Sequence, residues 1–173
     1  MAFLSPRQMI DNLNIIKHST VIDIGAGSGA YVYEACRVNG EGGKIIAVDI
    51  DEEKLKLVRD TAKMGGYNVE ILLADIEKGI IMPEYSADYV VFANTLHQIE
   101  VSKRVEVMKD IARILVPRGA MLLVEWKGTS SLGPDKELIV KEEEIKSLIS
   151  ASGLNIQEEL DAGDYHYAYI LTK

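Results

Sequence analysis

Cysteine is almost missing from this chain, with Cys36 alone among 173 residues. An internal disulfide is therefore excluded, and a single thiol inside a helical pattern reads as a small core residue of a cytoplasmic protein. Histidine is nearly as scarce: His18, His97 and His166 lie far apart, with no tight Cys/His cluster. No structural zinc is expected, nothing calls for bound magnesium, and the metal ligands are read as none. Prolines are few, and neither a repeat nor a low-complexity linker appears. With 47% apolar residues, that argues for a packed globule without long disordered tails. No apolar run approaches the length that spans a bilayer, so no membrane partner is expected. The opening M-A-F-L-S-P-R-Q lacks the basic-then-apolar order of a secretion signal. Positive charge is short too, the formal net charge being -8. Its basic residues are scattered over helix faces with no aromatic-and-basic stripe, which disfavours nucleic acid.

What is present is an alternation. Thr20–Ile24, Lys44–Ile50, Val69–Asp75, Asp88–Phe92 and Ala120–Trp126 are short runs rich in Val, Ile and Leu, as strands covered on both faces should be. Amphipathic stretches separate them. Asp51–Met64 carries Leu55, Val58 and Ala62 at helical spacing behind Asp51 as N-cap. Ser102–Leu115 does the same behind Ser102, with Pro117-Arg118-Gly119 as its stop. A last helix, Lys141–Ser152, precedes Asn155–Leu160 and His166–Thr172. The short D-A-G-D turn between those two runs permits only an antiparallel hairpin. The expectation is an α/β fold: one domain over residues 1–173, doubly wound, with a seven-stranded, mostly parallel sheet whose last strand is antiparallel. Residues 1–19, with a short helix at Ser5–Leu13, form a partial cap.

Chemistry concentrates in V-I-D-I-G-A-G-S-G-A-Y, Val21 to Tyr31, where a strand runs into Gly25, Gly27 and Gly29. Such a loop, followed by a helix, holds a nucleotide-like ligand against bare backbone. Asp23 precedes the loop by two residues, Asp49 closes I-I-A-V-D, and Asp75 closes I-L-L-A-D. In an open parallel sheet the carboxyl ends of strands border the ligand crevice, so three successive acidic strand ends should meet the loop at one edge.

These residues resemble the class I S-adenosylmethionine-dependent methyltransferases over essentially the whole chain. D-I-G-A-G-S-G is similar to that family's first motif, V-D-I at 48–50 to its ribose-binding strand end, and A-D-I at 74–76 to its adenine-binding turn. The resemblance implies S-adenosylmethionine as cofactor. It implies Asp49 on the ribose hydroxyls, Asp75 on the adenine amino group, and Ile50 and Ile76 flanking the adenine. Gly25, Ala26, Gly27 and Gly29 would lie against the methionine part, and Asn94 near the sulfonium. The wording around His97, F-A-N-T-L-H-Q-I, is similar to the small-molecule branch that includes quinone-ring C-methyltransferases. That branch implies transfer to a small-molecule acceptor without fixing which one.

A nicotinamide-dependent reductase is the rival, since Gly25-x-Gly27-x-x-Ala30 also fits a loose dinucleotide fingerprint. Asp23 argues against it: beside a diphosphate it would face like charge, whereas it suits a ligand carrying sulfonium and ammonium groups. A spare substrate domain is also absent. A non-catalytic module that binds the cofactor stays open as a second alternative, as do protein or RNA acceptors and self-association. For the acceptor side, His97 is the candidate base, and Trp126, Tyr165 and His166 join it as the expected pocket. The loop Gly128–Lys136 has the composition of a cover.

Overall fold

A computed structural model describes residues 4–128 and 133–173 of the chain. Seven strands form one sheet: β1 (Thr20–Ile24), β2 (Lys44–Asp49), β3 (Val69–Leu73), β4 (Ala87–Ala93), β5 (Leu115–Trp126), β6 (Asn155–Glu159) and β7 (His166–Thr172). Their order is β3-β2-β1-β4-β5-β7-β6. Strands β1 to β5 pair in parallel, and β7 runs antiparallel to both β5 and β6. The chain steps outward from β1 to β3, then returns to place β4 on the other side of β1. That reversal leaves a crevice at the carboxyl ends of β1 and β4.

Helices α1 (Pro6–Asn12), α2 (Ala30–Asn39) and α3 (Glu52–Met64) cover one face, and α4 (Arg104–Ile114) and α5 (Glu142–Ala151) the other. Strand alternation sorts the core accordingly. Met121 and Leu123 of β5 join the α4–α5 side, while Leu122 and Val124 join the α1–α3 side. In α3 the expected Leu55, Val58 and Ala62 are the buried stripe, and the Asp51 carboxylate accepts from the Glu53 and Lys54 amides as its N-cap. Removing a buried side chain such as Leu55 costs about 2–5 kcal/mol, so this stripe is what seats the helix.

The element ends depart from the sequence reading in two places. Ser102 is not the N-cap of the fourth helix. Val101–Lys103 form a 3-10 turn, and α4 begins behind Lys103. Nor do Pro117, Arg118 and Gly119 stop the chain before a strand at Ala120. Leu115 is already extended and pairs with Ala87, after which the register slips and Tyr89 pairs with Ala120. The inserted residues make a bulge, where a proline is tolerated. Gly119 is needed there, because a Cβ would lie 2.8 Å from the Asp88 carbonyl oxygen and 2.6 Å from Leu115 Cδ2. Among the described residues, no helix is long and apolar enough to cross a membrane.

Candidate active site

The crevice contains a cavity of about 400 Å³. The loop after β1 lines it with Gly25, Ala26, Gly27 and Ser28, and the ends of β2 and β3 add Asp49, Ile50, Asp75 and Ile76. Asn94, Thr95 and Gln98 close it after β4. A larger and more open groove of about 890 Å³ lies between Lys78 and α4. Its Arg113 is committed to the Ile80 and Met82 carbonyls and to Asp110, so that side chain serves the fold.

The glycine loop spends the amides of its three glycines and of Ala26, and leaves Ser28 facing the cavity. The Gly25 and Ala26 amides donate to the Val48 carbonyl at 2.8 and 3.0 Å, and the Gly29 amide to Ala26. Gly27 donates to Asp49 Oδ2 at 2.8 Å. A diphosphate needs such amides free, as in nucleotide-binding nests; here a resident carboxylate already occupies the loop. Gly25, at φ +76°, is packed tight, since a Cβ would sit 2.1 Å from Thr95 Oγ1. Gly27, at φ +51°, is the reverse: a Cβ there would meet nothing nearer than the Gly25 carbonyl at 3.9 Å. The backbone at Gly27 is bare on its cavity side.

Buried polar groups without a partner among the described residues lie in and behind the crevice, with Asn94 and Tyr31 in its lining and Asp23 outside that lining. Asp23 is buried, with its Oδ2 unpartnered among the described residues. Burial, reinforced by the charge of Asp49, pushes its carboxyl up to about 7, although the Val32 amide in the first turn of α2 pulls the other way. Asn94 holds a left-handed conformation (φ 53°), donates its amide to the Val124 carbonyl, and leaves its buried Oδ1 unpartnered. The Tyr31 hydroxyl is likewise buried and unpartnered, and burial together with the charge of Asp23 holds it protonated. Asp49 uses its other oxygen on the Asp51 amide. Asp75 caps the turn Ile76–Lys78 and pairs with Lys78 at 3.0 Å, which holds its carboxyl below the usual carboxylate range. Ile50 and Ile76 flank the space between these two acids, and Ile50 is 68% exposed, an apolar side chain left without cover.

The four residues expected for an acceptor pocket fall into separate groups. Trp126 and His166 are register partners across β5 and β7, and their rings lie 4.1 Å apart. His97, in the turn Leu96–Gln98, instead meets Glu125, whose side chain leaves β5 on the opposite face from Trp126. The Glu125 carboxylate accepts from the His97 amide at 3.0 Å, the His97 Nδ1 at 2.8 Å and the Trp126 amide at 2.8 Å. Both nitrogens of His166 are buried without a partner among the described residues, and burial lowers its proton affinity against the opposing pull of Glu125. Tyr165 follows the hairpin turn, and its carbonyl accepts from the Lys127 amide. The expected cover over Gly128–Lys136 falls in part on residues 129–132, which lie outside the described residues. At its far end Gly133 lies close over the Trp126 ring.

Residues 15–164 match the family described as a methyltransferase domain. The chain belongs to that family. Its curated relatives include C-methyltransferases of ubiquinone and menaquinone biosynthesis. A ubiquinone/menaquinone biosynthesis C-methyltransferase from Azotobacter vinelandii is 28% identical over 127 residues, which is 72% of this chain and 49% of that protein. The chain thus spans about half the length of the curated relatives it matches. A methyltransferase from Aquifex aeolicus has the same fold, with a TM-score of 0.86 and 24% identity over 98% of this chain and 89% of that one. A [4+2]-cyclase also shares it, with a TM-score of 0.76 and 18% identity over 90% of this chain and 59% of that one.

The fit to the family's cofactor rests on this structure's own features, namely the open acceptors beside a bare glycine backbone. Reading the sequence as having no Tyr-x-x-x-Lys pair of reductases is corrected by one run, Tyr169 to Lys173, which spells it. It lies on β7 and not on a helix. Tyr169 donates to Glu142, and Lys173 to the Leu115 carbonyl, so the two serve the fold. Glu125 and Tyr31 are among the residues that sequence reasoning missed, as are Ser28, Lys54, Thr95 and Gln98 of the cavity lining. For the first two, signals were present: an acid inside the buried run M-L-L-V-E-W, and an aromatic directly after the loop. Among the described residues, no group of three or more His, Cys, Asp or Glu is placed to hold a metal.

Proposed function

We propose that the protein transfers a methyl group from S-adenosylmethionine to a small planar acceptor that carries an ionisable proton. The observation that carries this reading is at the crevice: the Gly27 amide is already spent on the Asp49 carboxylate, while the buried Oδ1 of Asn94, in the cavity lining, has no partner among the described residues. Such a site answers a cation. In this reading Asp23 and Asn94 receive the ammonium and sulfonium end, with Gly25, Ala26, Gly27 and Gly29 lying alongside it. Asp49 takes the ribose hydroxyls, and Asp75 the adenine amino group between Ile50 and Ile76. When bound, S-adenosylmethionine supplies an electrophilic methyl: the acceptor's nucleophilic atom bonds to that carbon as the carbon–sulfur bond breaks and its electron pair stays on sulfur.

The chain's own contribution is position and a base. His97 Nε2, the ring nitrogen that Glu125 does not engage, takes the acceptor's proton. Trp126 and His166 lie on the other face of β5 from Glu125, so the acceptor in this reading meets His97 without them. A cytoplasmic, small-molecule role agrees with this chemistry. The test is transfer of labelled methyl to a panel of phenols, hydroquinones and enols. Label on at least one ring acceptor is the expected result, and label on none, with cofactor bound, opposes it.

A second reading is supported by the shared fold of the [4+2]-cyclase, whose name describes no methyl transfer. The protein would then bind the cofactor without donating its methyl. Tight binding with no turnover across the panel is its signature.

A further inference from the structure

The geometry points to Glu125 as a positioning residue that dictates which nitrogen of His97 serves as base, an inference that rests on the methyl-transfer reading above. The Glu125 side chain is fully buried, with 0% exposure. A carboxylate so placed is costly unless its oxygens are fully hydrogen-bonded. Three N–H groups meet it, and they divide between the oxygens. His97's backbone amide goes to Oε2, while His97 Nδ1 and the Trp126 amide go to Oε1.

An ionised carboxylate only accepts, so the shared proton must sit on Nδ1. Neutral His97 is thereby held as the Nδ1–H tautomer, with its lone pair on Nε2. Glu125 grips one residue at two points, backbone and ring, and anchors that grip to the end of β5 through Trp126. The imidazole is fixed against both the turn after β4 and the rim of the sheet. As Nε2 gains the acceptor's proton, the imidazolium forms beside a charge that is already present.

An amide at this position cannot reproduce the arrangement. It offers one oxygen and one NH2, whereas both carboxylate oxygens receive N–H groups here. With its oxygen toward the His97 backbone amide, the NH2 group of Glu125→Gln faces Nδ1 and the Trp126 N–H; with its oxygen toward those two, the NH2 faces the His97 backbone N–H. Either way one pair of donors is opposed, and in the first orientation the proton moves to Nε2 and blocks the base atom.

The test uses full-length protein with 15N-labelled histidine, whose long-range proton–nitrogen spectra report ring tautomers; His97→Ala assigns the signals. Wild-type His97 is expected as Nδ1–H with an unprotonated Nε2. Glu125→Gln is expected to populate Nε2–H alongside Nδ1–H and to slow transfer by about tenfold. The melting shift produced by S-adenosylmethionine should stay as in wild type. An Nε2–H form in wild-type protein overturns the inference with no variant needed. So does a folded Gln variant that keeps both the single Nδ1–H form and the wild-type transfer rate. Loss of the S-adenosylmethionine shift in wild-type protein strikes the methyl-transfer reading instead.

Discussion

The Gly27 amide donates to the Asp49 carboxylate at 2.8 Å, tying the loop after β1 to the end of β2. Through this bond the glycine loop carries its own anion. The neighbouring amides of Gly25, Ala26 and Gly29 turn to Val48 and Ala26, and Asn94 Oδ1 and the Tyr31 hydroxyl are buried in the cavity lining without a partner among the described residues. A ligand that settles there can satisfy Asn94 only by bringing a donor or positive charge.

Gly27 and Gly25 should respond differently to alanine. Gly27→Ala adds a methyl to open space at φ +51°, a strain of about 1 kcal/mol that the fold can absorb. The methyl occupies the cradle, so cofactor binding falls by far more than stability. Gly25→Ala drives a Cβ into Thr95 and should lower the melting temperature itself. Denaturation and ligand titration of the two variants separate these outcomes; equal binding by Gly27→Ala and wild type contradicts the cradle.

Asp23 gives a pH signature. Its carboxyl stands at about 7 in the fold against 3.8 ordinarily, because burial, then Asp49, disfavour its charge. The stability this group contributes is present at low pH and is lost as pH rises through about 7. Asp23→Asn should therefore flatten stability against pH between about 4 and 7. A bound cation favours the charged form, so S-adenosylmethionine should bind more tightly at pH 8 than at pH 6 in wild type. In Asp23→Asn binding should be at least tenfold weaker and lose that trend. Calorimetry at the two pH values checks both.

His97→Ala should leave the cofactor's melting shift intact and slow transfer by about 10²–10⁴-fold, the usual contribution of a positioned base. Single-turnover rates with saturating cofactor measure it. Unchanged turnover removes His97 from the reaction.

The sheet and its reversed last strand were legible in the chain because fully covered strands read as apolar runs and the D-A-G-D turn leaves no room for a crossover. Part of the cavity lining was legible for the same reason, since the loop, Asp49 and Asp75 fall at strand ends that topology brings together, whereas Asp23 and Gly29 lie outside that lining. What escaped was side-chain direction. Trp126 and Glu125 are neighbours in sequence yet leave β5 on opposite faces, so a pocket drawn from proximity alone joined His97 to the wrong residue. The β5 bulge escaped too, because proline and glycine signal both a stop and a bulge, and only the partner strand decides between them.

Comparative melting with S-adenosylmethionine and NADH tests the central claim most directly. At a hundred times its dissociation constant, S-adenosylmethionine should add about 2.7 kcal/mol, raising the midpoint by about 5–10 °C, with no shift from NADH. A shift with NADH and none with S-adenosylmethionine would contradict the account.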